Sequence, residues 1–199
     1  DKGSNAGLKL ASLVAGMAAG ADSIDDMALL RHGAMGKVFD RPYAPSTLGS
    51  FLRKFTFGHV RQADAVASRF LLSLAGRTEL LGREEDSSTV MVDIDDTIIE
   101  VHGYQKQAAG FGYSGVRGLN ALLATVSTGQ AAPVIAAQRL RKGSAGSSRG
   151  AARLATDTLA LIGRTHLADR PVLVRGDSAF YSHALVRACR KAGAEVSIT

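Results

Sequence analysis

The sequence predicts an α/β protein: a mixed sheet with helices, preceded by an α-helical N-terminal region. Three observations predict it. Apolar residues recur at helix spacing up to about residue 82 and at strand spacing after it. Two apolar runs, VMVDIDDT and PVLVRGDSAF, each carry the chain into aspartate. Between them LNALLATVST and APVIAAQRLRK are joined by the short turn GQA, which reads as a β-hairpin.

Taken in order, Leu8, Leu10, Leu13, Val14 and Met17 form an apolar stripe at helix spacing. Asp22 and Ser23 precede IDDMALLRHG as a cap would, with acids in the first turn and Gly33 as the stop. RPYAP is a turn, after which Pro45 opens a short helix, and Val60 to Leu81 describe a longer one. GREEDSS is polar and reads as a loop, so the main boundary falls near residue 87: a helical region over 1–87 and a strand-rich α/β domain over 88–199. VMVDIDDT is apolar on both faces at its start, as a strand near the centre of a sheet is. HGYQKQAAGFGYSGVRG is an irregular, glycine-rich loop. After the hairpin, GAARLATDTLALIGRTH is a helix and PVLVRGDSAF a second buried strand. SHALVRACRKAG is a helix capped by Ser182 and stopped by Gly193, and EVSIT opens a last strand. Internal repeats and low-complexity tracts are absent.

Composition narrows the function classes. With 199 residues, 46% of them hydrophobic, the chain can bury one sizeable core or two small ones. No apolar run reaches the ~18 residues of a membrane span, so no membrane partner is expected. The single cysteine, Cys189, cannot form an internal disulfide, which suits a reducing cytoplasm; it reads as a small apolar filler. Net charge is +6. Residues 1–86 carry 11 Lys+Arg against 10 Asp+Glu, and residues 87–199 carry 13 against 8. A basic surface with a concentrated acidic spot suits a polyanionic substrate processed at metal-bound carboxylates. The first residue is Asp rather than Met and the last are EVSIT, which reads as a chain truncated at both ends.

A carboxylate at a strand end sits on a rigid mount at an exposed rim. Alternation along VMVDIDDT places Asp93 and Asp95 on one face and Asp96 on the other. Two carboxylates on one face repel unless a cation or proton intervenes. If the strand ending in Asp177 is a neighbour, its carboxylate converges on theirs, and hard oxygen ligands of this kind bind Mg²⁺ or Mn²⁺. A pair of such ions would activate water on one side of a phosphodiester and stabilise the leaving oxygen on the other. Asp96 alone reads as a turn former or cap.

The same residues also match Asp-x-Asp-x-Thr of haloacid-dehalogenase-like phosphatases, with Asp93 as nucleophile, Asp95 as acid and base, and Gly176-Asp177-Ser178 as the late Mg²⁺ motif. That reading needs helix crossovers feeding a parallel sheet, whereas a hairpin follows here.

Three meandering strands, a helix and a fourth strand, with acids on the first and fourth, resemble the core of ribonuclease-H-like nucleotidyltransferases. The words VDIDDTIIEVHGYQKQ, GYSGVRGLNALLATV, RLRKGSAGS and LVRGDSAFYS resemble DDE transposases of bacterial insertion sequences, in the group whose first motif reads Asp-x-Asp-x-Thr. The resemblance implies two-metal-ion DNA strand cleavage and strand transfer during cut-and-paste transposition. Its cofactor would be two Mg²⁺ (or Mn²⁺) ions. Its partners would be double-stranded DNA, namely the element's terminal inverted repeats and target DNA, with a homodimer in the active complex. By motif, the first catalytic and metal-binding acid is Asp95, with Asp93 as the alternate, and the second is Asp177. The family's third acid, a Glu, would fall beyond residue 199, so the fragment alone is expected to be inactive. A remnant that binds DNA without chemistry is the remaining alternative.

Arg139, Arg141 and Lys142 in RLRKG read as a phosphate-contacting turn, and Lys106 joins them as a DNA contact. Tyr104, Lys106, Phe111 and Tyr113 mix aromatic and basic groups as single-strand contacts do. Arg175 is assigned to the face opposite Asp177, and His102 to a polar surface position. Residues 1–82 would bind element ends or serve as a scaffold, and they carry no clear helix-turn-helix signal.

Overall fold

The computed structural model describes residues 4–83, 87–103 and 105–199. The expected loop residues 84–86 and Tyr104 lie outside the described residues. The chain forms two compact units, residues 1–59 and 60–199.

In the first unit, helix α1 (Ala6–Ala18) and helix α2 (Pro45–Leu52) flank two 3₁₀ segments, Asp25–Arg31 and Gly33–Lys37. Leu13, Ala21, Met27, Leu48 and Phe51 make its core. The apolar stripe read from α1 is not the buried face. Leu13 is buried, but Leu8, Leu10, Val14 and Met17 are exposed. The reason is Gly16: a Cβ there would stand 2.1 Å from the Met27 sulfur, so the helix packs through its small-residue face. The segment after Ser23 closes into 3₁₀ turns rather than the expected α-helix. Ser23 and Asp26 cap each other: Ser23 N and Oγ donate to the Asp26 carboxylate at 2.9 and 2.7 Å, and Asp26 N donates to Ser23 Oγ at 3.3 Å. These bonds hold the Asp26 carboxyl below its ordinary range. Gly33, at φ +60°, then breaks the run.

The second unit holds most of helix α3 (Phe57–Ala75) and one six-stranded sheet. Its strands are β1 (Val90–Glu100), β2 (Gly110–Phe111), β3 (Arg117–Thr128), β4 (Ala131–Lys142), β5 (Val172–Gly176) and β6 (Glu195–Ile198). Helix α4 (Ala151–Ile162) leads from β4 towards β5, and helix α5 (His183–Lys191) joins β5 to β6. Across the sheet the order is β4-β3-β1-β5-β6, and the short β2 pairs with the start of β3. β3 is antiparallel to both β1 and β4, while β1, β5 and β6 run parallel. Apart from the two-residue β2, this is the succession read from the sequence, with β1 central as expected. β4 pairs on one side only, which is where a strand tolerates Pro133.

One face of this sheet is the core. Val90, Val92 and Ile94 of β1, Leu122, Ala124 and Val126 of β3, Ala136 of β4 and Val174 of β5 are all buried. Leu154, Ala155 and Ile162 of α4, Leu185 and Cys189 of α5, and Leu71 and Ala75 of α3 complete the cluster. Cys189 is wholly buried, the apolar filler expected of it, and burial pushes its thiol pKa up. Ser182 caps α5, accepting from Leu185 N at 3.2 Å, and Gly193 leaves it at φ +78°. Among the described residues no helix is long and apolar enough to cross a membrane.

Candidate active site

β1 continues past the core face into its acidic run. Val90, Val92 and Ile94 point inward, so Asp93 and Asp95 stand on the opposite face, and Asp96 falls at the rim of the core face. β5 lies beside β1 in parallel register, with Asp93 opposite Arg175. Two residues further on stand Asp95, still on β1, and Asp177, one residue past the end of β5, where it caps the next turn. Level positions on adjacent parallel strands share a face and are about 5 Å apart in the backbone. Carried one step past the end of β5, this register puts Asp177 beside Asp95, 82 residues away in the sequence. Both side chains are exposed, and among the described residues neither pairs with a cation. Each is braced by backbone instead: Asp96 N donates to Asp95 Oδ1 at 2.7 Å and Ala179 N to Asp177 Oδ1 at 2.9 Å.

Asp93 is engaged differently. Arg175 grips it with two parallel bonds, Nε to Oδ1 at 2.7 Å and Nη2 to Oδ2 at 2.8 Å. Arg175 thus lies on the face of Asp93, not on the face opposite Asp177 as the sequence reading had it; residues two apart on a strand share a face. Hydrogen bonding and charge from Asp93 raise the Arg175 pKa. The signal for this pair was present in the sequence: Arg175 precedes Asp177 by the same step as Asp93 precedes Asp95.

Asp96 is neither a turn former nor a cap. Its Oδ2 accepts from Arg141 Nη2 at 2.5 Å and from Asn120 Nδ2 at 2.8 Å, and its Oδ1 accepts from Ser147 Oγ at 3.3 Å. Arg141 also donates to Asn120 Oδ1 and to the carbonyls of Gly146, Ser147 and Arg149. Its side chain is 10% exposed and that of Asp96 16%. Burial lowers the Arg141 pKa, against the opposing pull of Asp96. The network ties the segment before α4 to the strand that carries Asp95. Neither Asn120 nor Ser147 was singled out in the sequence, because only the register of β3 and β4 shows that they meet Asp96.

Of the four predicted DNA contacts, two face inward. Arg139 bridges Asp157 of α4 and Asp64 of α3, the latter at 3.4 Å. Arg141 is held as described. Lys142 and Lys106 are exposed, as are His102, Phe111 and Tyr113.

A divalent ion asks for hard, unpaired oxygen donors. Asp95 and Asp177 fit that requirement, and Asp93 and Asp96, each bound to an arginine, do not. Among the described residues no three His, Cys, Asp or Glu side chains gather as a metal site. Glu195 does not supply a third, since it pairs level with Leu173, towards the opposite end of β5 from Asp177.

The family model for the transposase DDE domain, group 1, matches residues 6–199. The chain belongs to that family. The family agrees with the sheet: β3, which follows the glycine-rich loop, is antiparallel to the first acidic strand. The strand order and directions are those of a ribonuclease-H-like fold. No curated protein matches the sequence. Among solved structures, the chain is similar to the Mos1 transposase paired-end complex with left transposon end, at 12% identity and a TM-score of 0.33, covering 94% of this chain and 57% of that one. A pre-cleavage Mos1 transpososome is similar at 11% identity and a TM-score of 0.32, covering 94% and 58%. The chain thus spans a little over half the length of those chains.

Proposed function

We propose that the protein catalyses metal-dependent DNA strand cleavage and strand transfer in cut-and-paste transposition, acting as a homodimer on the ends of its element and on target DNA. One observation carries the reading. Asp95 on β1 and Asp177 just past the end of the adjacent parallel β5 are exposed and, among the described residues, without a cation partner, beside two acids that have one. Family membership supports the same substrate class.

In this reading Asp95 and Asp177 are the metal ligands. Two Mg²⁺ or Mn²⁺ ions held there would supply Lewis-acid activation of the attacking water or hydroxyl and neutralise charge on the leaving oxygen. The protein's own part is positional. The backbone bonds from Asp96 N and Ala179 N fix one oxygen of each carboxylate and leave the other open. The Asp93–Arg175 pair clamps β1 to β5 one step behind the acids and sets their spacing. The exposed rim admits a polyanion, and the exposed Lys142 and Lys106 meet its phosphates.

The test uses the intact protein with labelled duplexes carrying the element's ends and Mn²⁺. Asp95→Asn and Asp177→Asn are each expected to abolish nicking and to remove Mn²⁺-dependent thermal stabilisation. Asp93→Asn should lower nicking while keeping that stabilisation. Intact nicking in Asp95→Asn, with its loss in Asp93→Asn, would transfer the first ligand to Asp93. A protein whose melting ignores Mn²⁺ altogether would instead be the DNA-binding remnant.

A further inference from the structure

The loop between β1 and β3 holds two large aromatic rings in solvent on a backbone that is pinned in place. Phe111 is 67% exposed and Tyr113 is wholly exposed. Their backbone is nonetheless tightly seated. A Cβ on Gly112 would stand 2.3 Å from the Gly143 carbonyl oxygen, and one on Gly143 would stand 2.2 Å from the carbonyl oxygens of both Gly110 and Gly118. Only glycine permits this approach. Gly143 N donates to Ala108 O at 3.2 Å, and Arg117 donates to the carbonyls of Val101 and Gly103. Rings presented on a fixed backbone lose little freedom on binding a partner.

The surroundings say what that partner is. Residues 101–156 contain seven Lys and Arg and no Asp or Glu, although Arg139, Arg141 and Arg153 pair with carboxylates from outside that stretch. Lys142, next to Gly143 at the foot of the loop, and Lys106 within it are both exposed. Aromatic faces flanked by free cations suit unpaired nucleobases on a phosphate backbone. The loop lies beyond the C-terminal end of β1. Asp95 pairs with Leu123 and Glu100 with Gly118, so five residues of strand separate the acid from the loop, about 17 Å at the rise of a β-strand. At the ~3.4 Å rise per nucleotide of the duplex that runs from the cleavage site, this spans roughly five nucleotides.

We propose that Phe111 and Tyr113 form a stacking platform for unpaired bases of the DNA strand about five nucleotides from the bond being cut. The proposal rests on the transposase reading above for its substrate and on the loop's own geometry for its site.

The experiment measures binding of a short fluorescein-labelled oligothymidylate to the intact protein without divalent metal, so that it is independent of cleavage; Mn²⁺-dependent nicking by the wild type is assayed separately and reports on the transposase reading. Phe111→Ala and Tyr113→Ala are expected to weaken single-strand binding about tenfold each. Duplex affinity should stay within about twofold, and the salt dependence should not change, because stacking releases no counterions. Lys106→Gln and Lys142→Gln should instead each flatten the salt slope by about 0.7. Phe111→Tyr and Tyr113→Phe should bind as the wild type does, and melting temperatures check that all variants fold. In the intact protein on element ends, 2-aminopurine placed about five nucleotides from the cleavage site should be quenched in wild type and not in the Ala variants. Unchanged oligothymidylate binding in a folded Phe111→Ala, Tyr113→Ala double variant overturns the platform. So does a double variant that changes oligomeric state at unchanged DNA affinity, which would make the surface a contact between protein copies.

Discussion

Removal of the Arg141 side chain separates two roles for that residue, because a structural ion pair and a DNA contact predict opposite results. Arg141→Ala leaves the Asp96 carboxylate nearly buried, with the neutral donors Asn120 Nδ2 and Ser147 Oγ but no cation. Breaking a buried pair from one side costs about 3–5 kcal/mol. The two remaining donors and the 16% exposure of Asp96 place this case near the lower end, about 3 kcal/mol. At roughly 2–4 °C per kcal/mol for a protein of this size, the melting temperature should fall by about 6–12 °C. Arg141→Met combined with Asp96→Leu removes both charges and should recover most of that loss. The assay is thermal unfolding followed by circular dichroism, paired with DNA binding across a salt series below the variant's melting range. The salt slope should match that of the wild type. A melting temperature within about a degree of wild type, together with a slope reduced by about 0.9, would identify Arg141 as a phosphate contact and refute the ion-pair account.

Other perturbations follow from the same geometry. The Asp93–Arg175 pair is about half exposed, so Arg175→Ala should cost no more than about 1 kcal/mol in an unfolding experiment. Its effect on nicking should be larger, and the reversal Asp93→Arg with Arg175→Asp should restore part of what either single change loses. Burial raises the Asp64 pKa, against the opposing charges of Arg139 and Arg61. A folded-state pKa above the unfolded value means that the native state binds the extra proton, so this carboxyl favours folding at low pH and the benefit is lost as pH rises through the folded pKa. Asp64→Asn should therefore gain stability relative to wild type between pH values below and above the carboxylate range; denaturant melts showing the opposite trend would contradict the burial argument. Gly143→Ala forces a methyl against two backbone carbonyls and should destabilise by about 1–3 kcal/mol in thermal unfolding, with the loss of single-strand binding that Phe111→Ala produces.

Much of the sheet was legible because its signals are local. Apolar runs leading into aspartate marked β1 and β5, the short turn GQA marked the β3–β4 hairpin, and Ser182 and Gly193 bracketed α5. The convergence of Asp95 and Asp177 required one assumption, that the two acidic strands are neighbours, and the parallel register of β1 and β5 bears it out. Pairings across elements were not legible. Whether Arg139 and Arg141 face solvent or meet Asp157 and Asp96 depends on register, and β3–β4 shifts register twice, between Ala124 and Thr125 and between Val126 and Thr128. The α1 stripe misled for a related reason: the contact at Gly16 depends on a distant Met27, so the smaller residues faced inward and the larger ones did not.

The 82-residue separation of Asp93 and Arg175 also governs when the two neighbouring carboxylates can meet. Contacts this distant along the chain carry a loop-closure cost that local contacts do not, and they slow folding. During synthesis, a nascent polypeptide that has not yet released Asp177 presents Asp95 by itself. The pair of neighbouring carboxylates therefore exists only once β5 has docked beside β1.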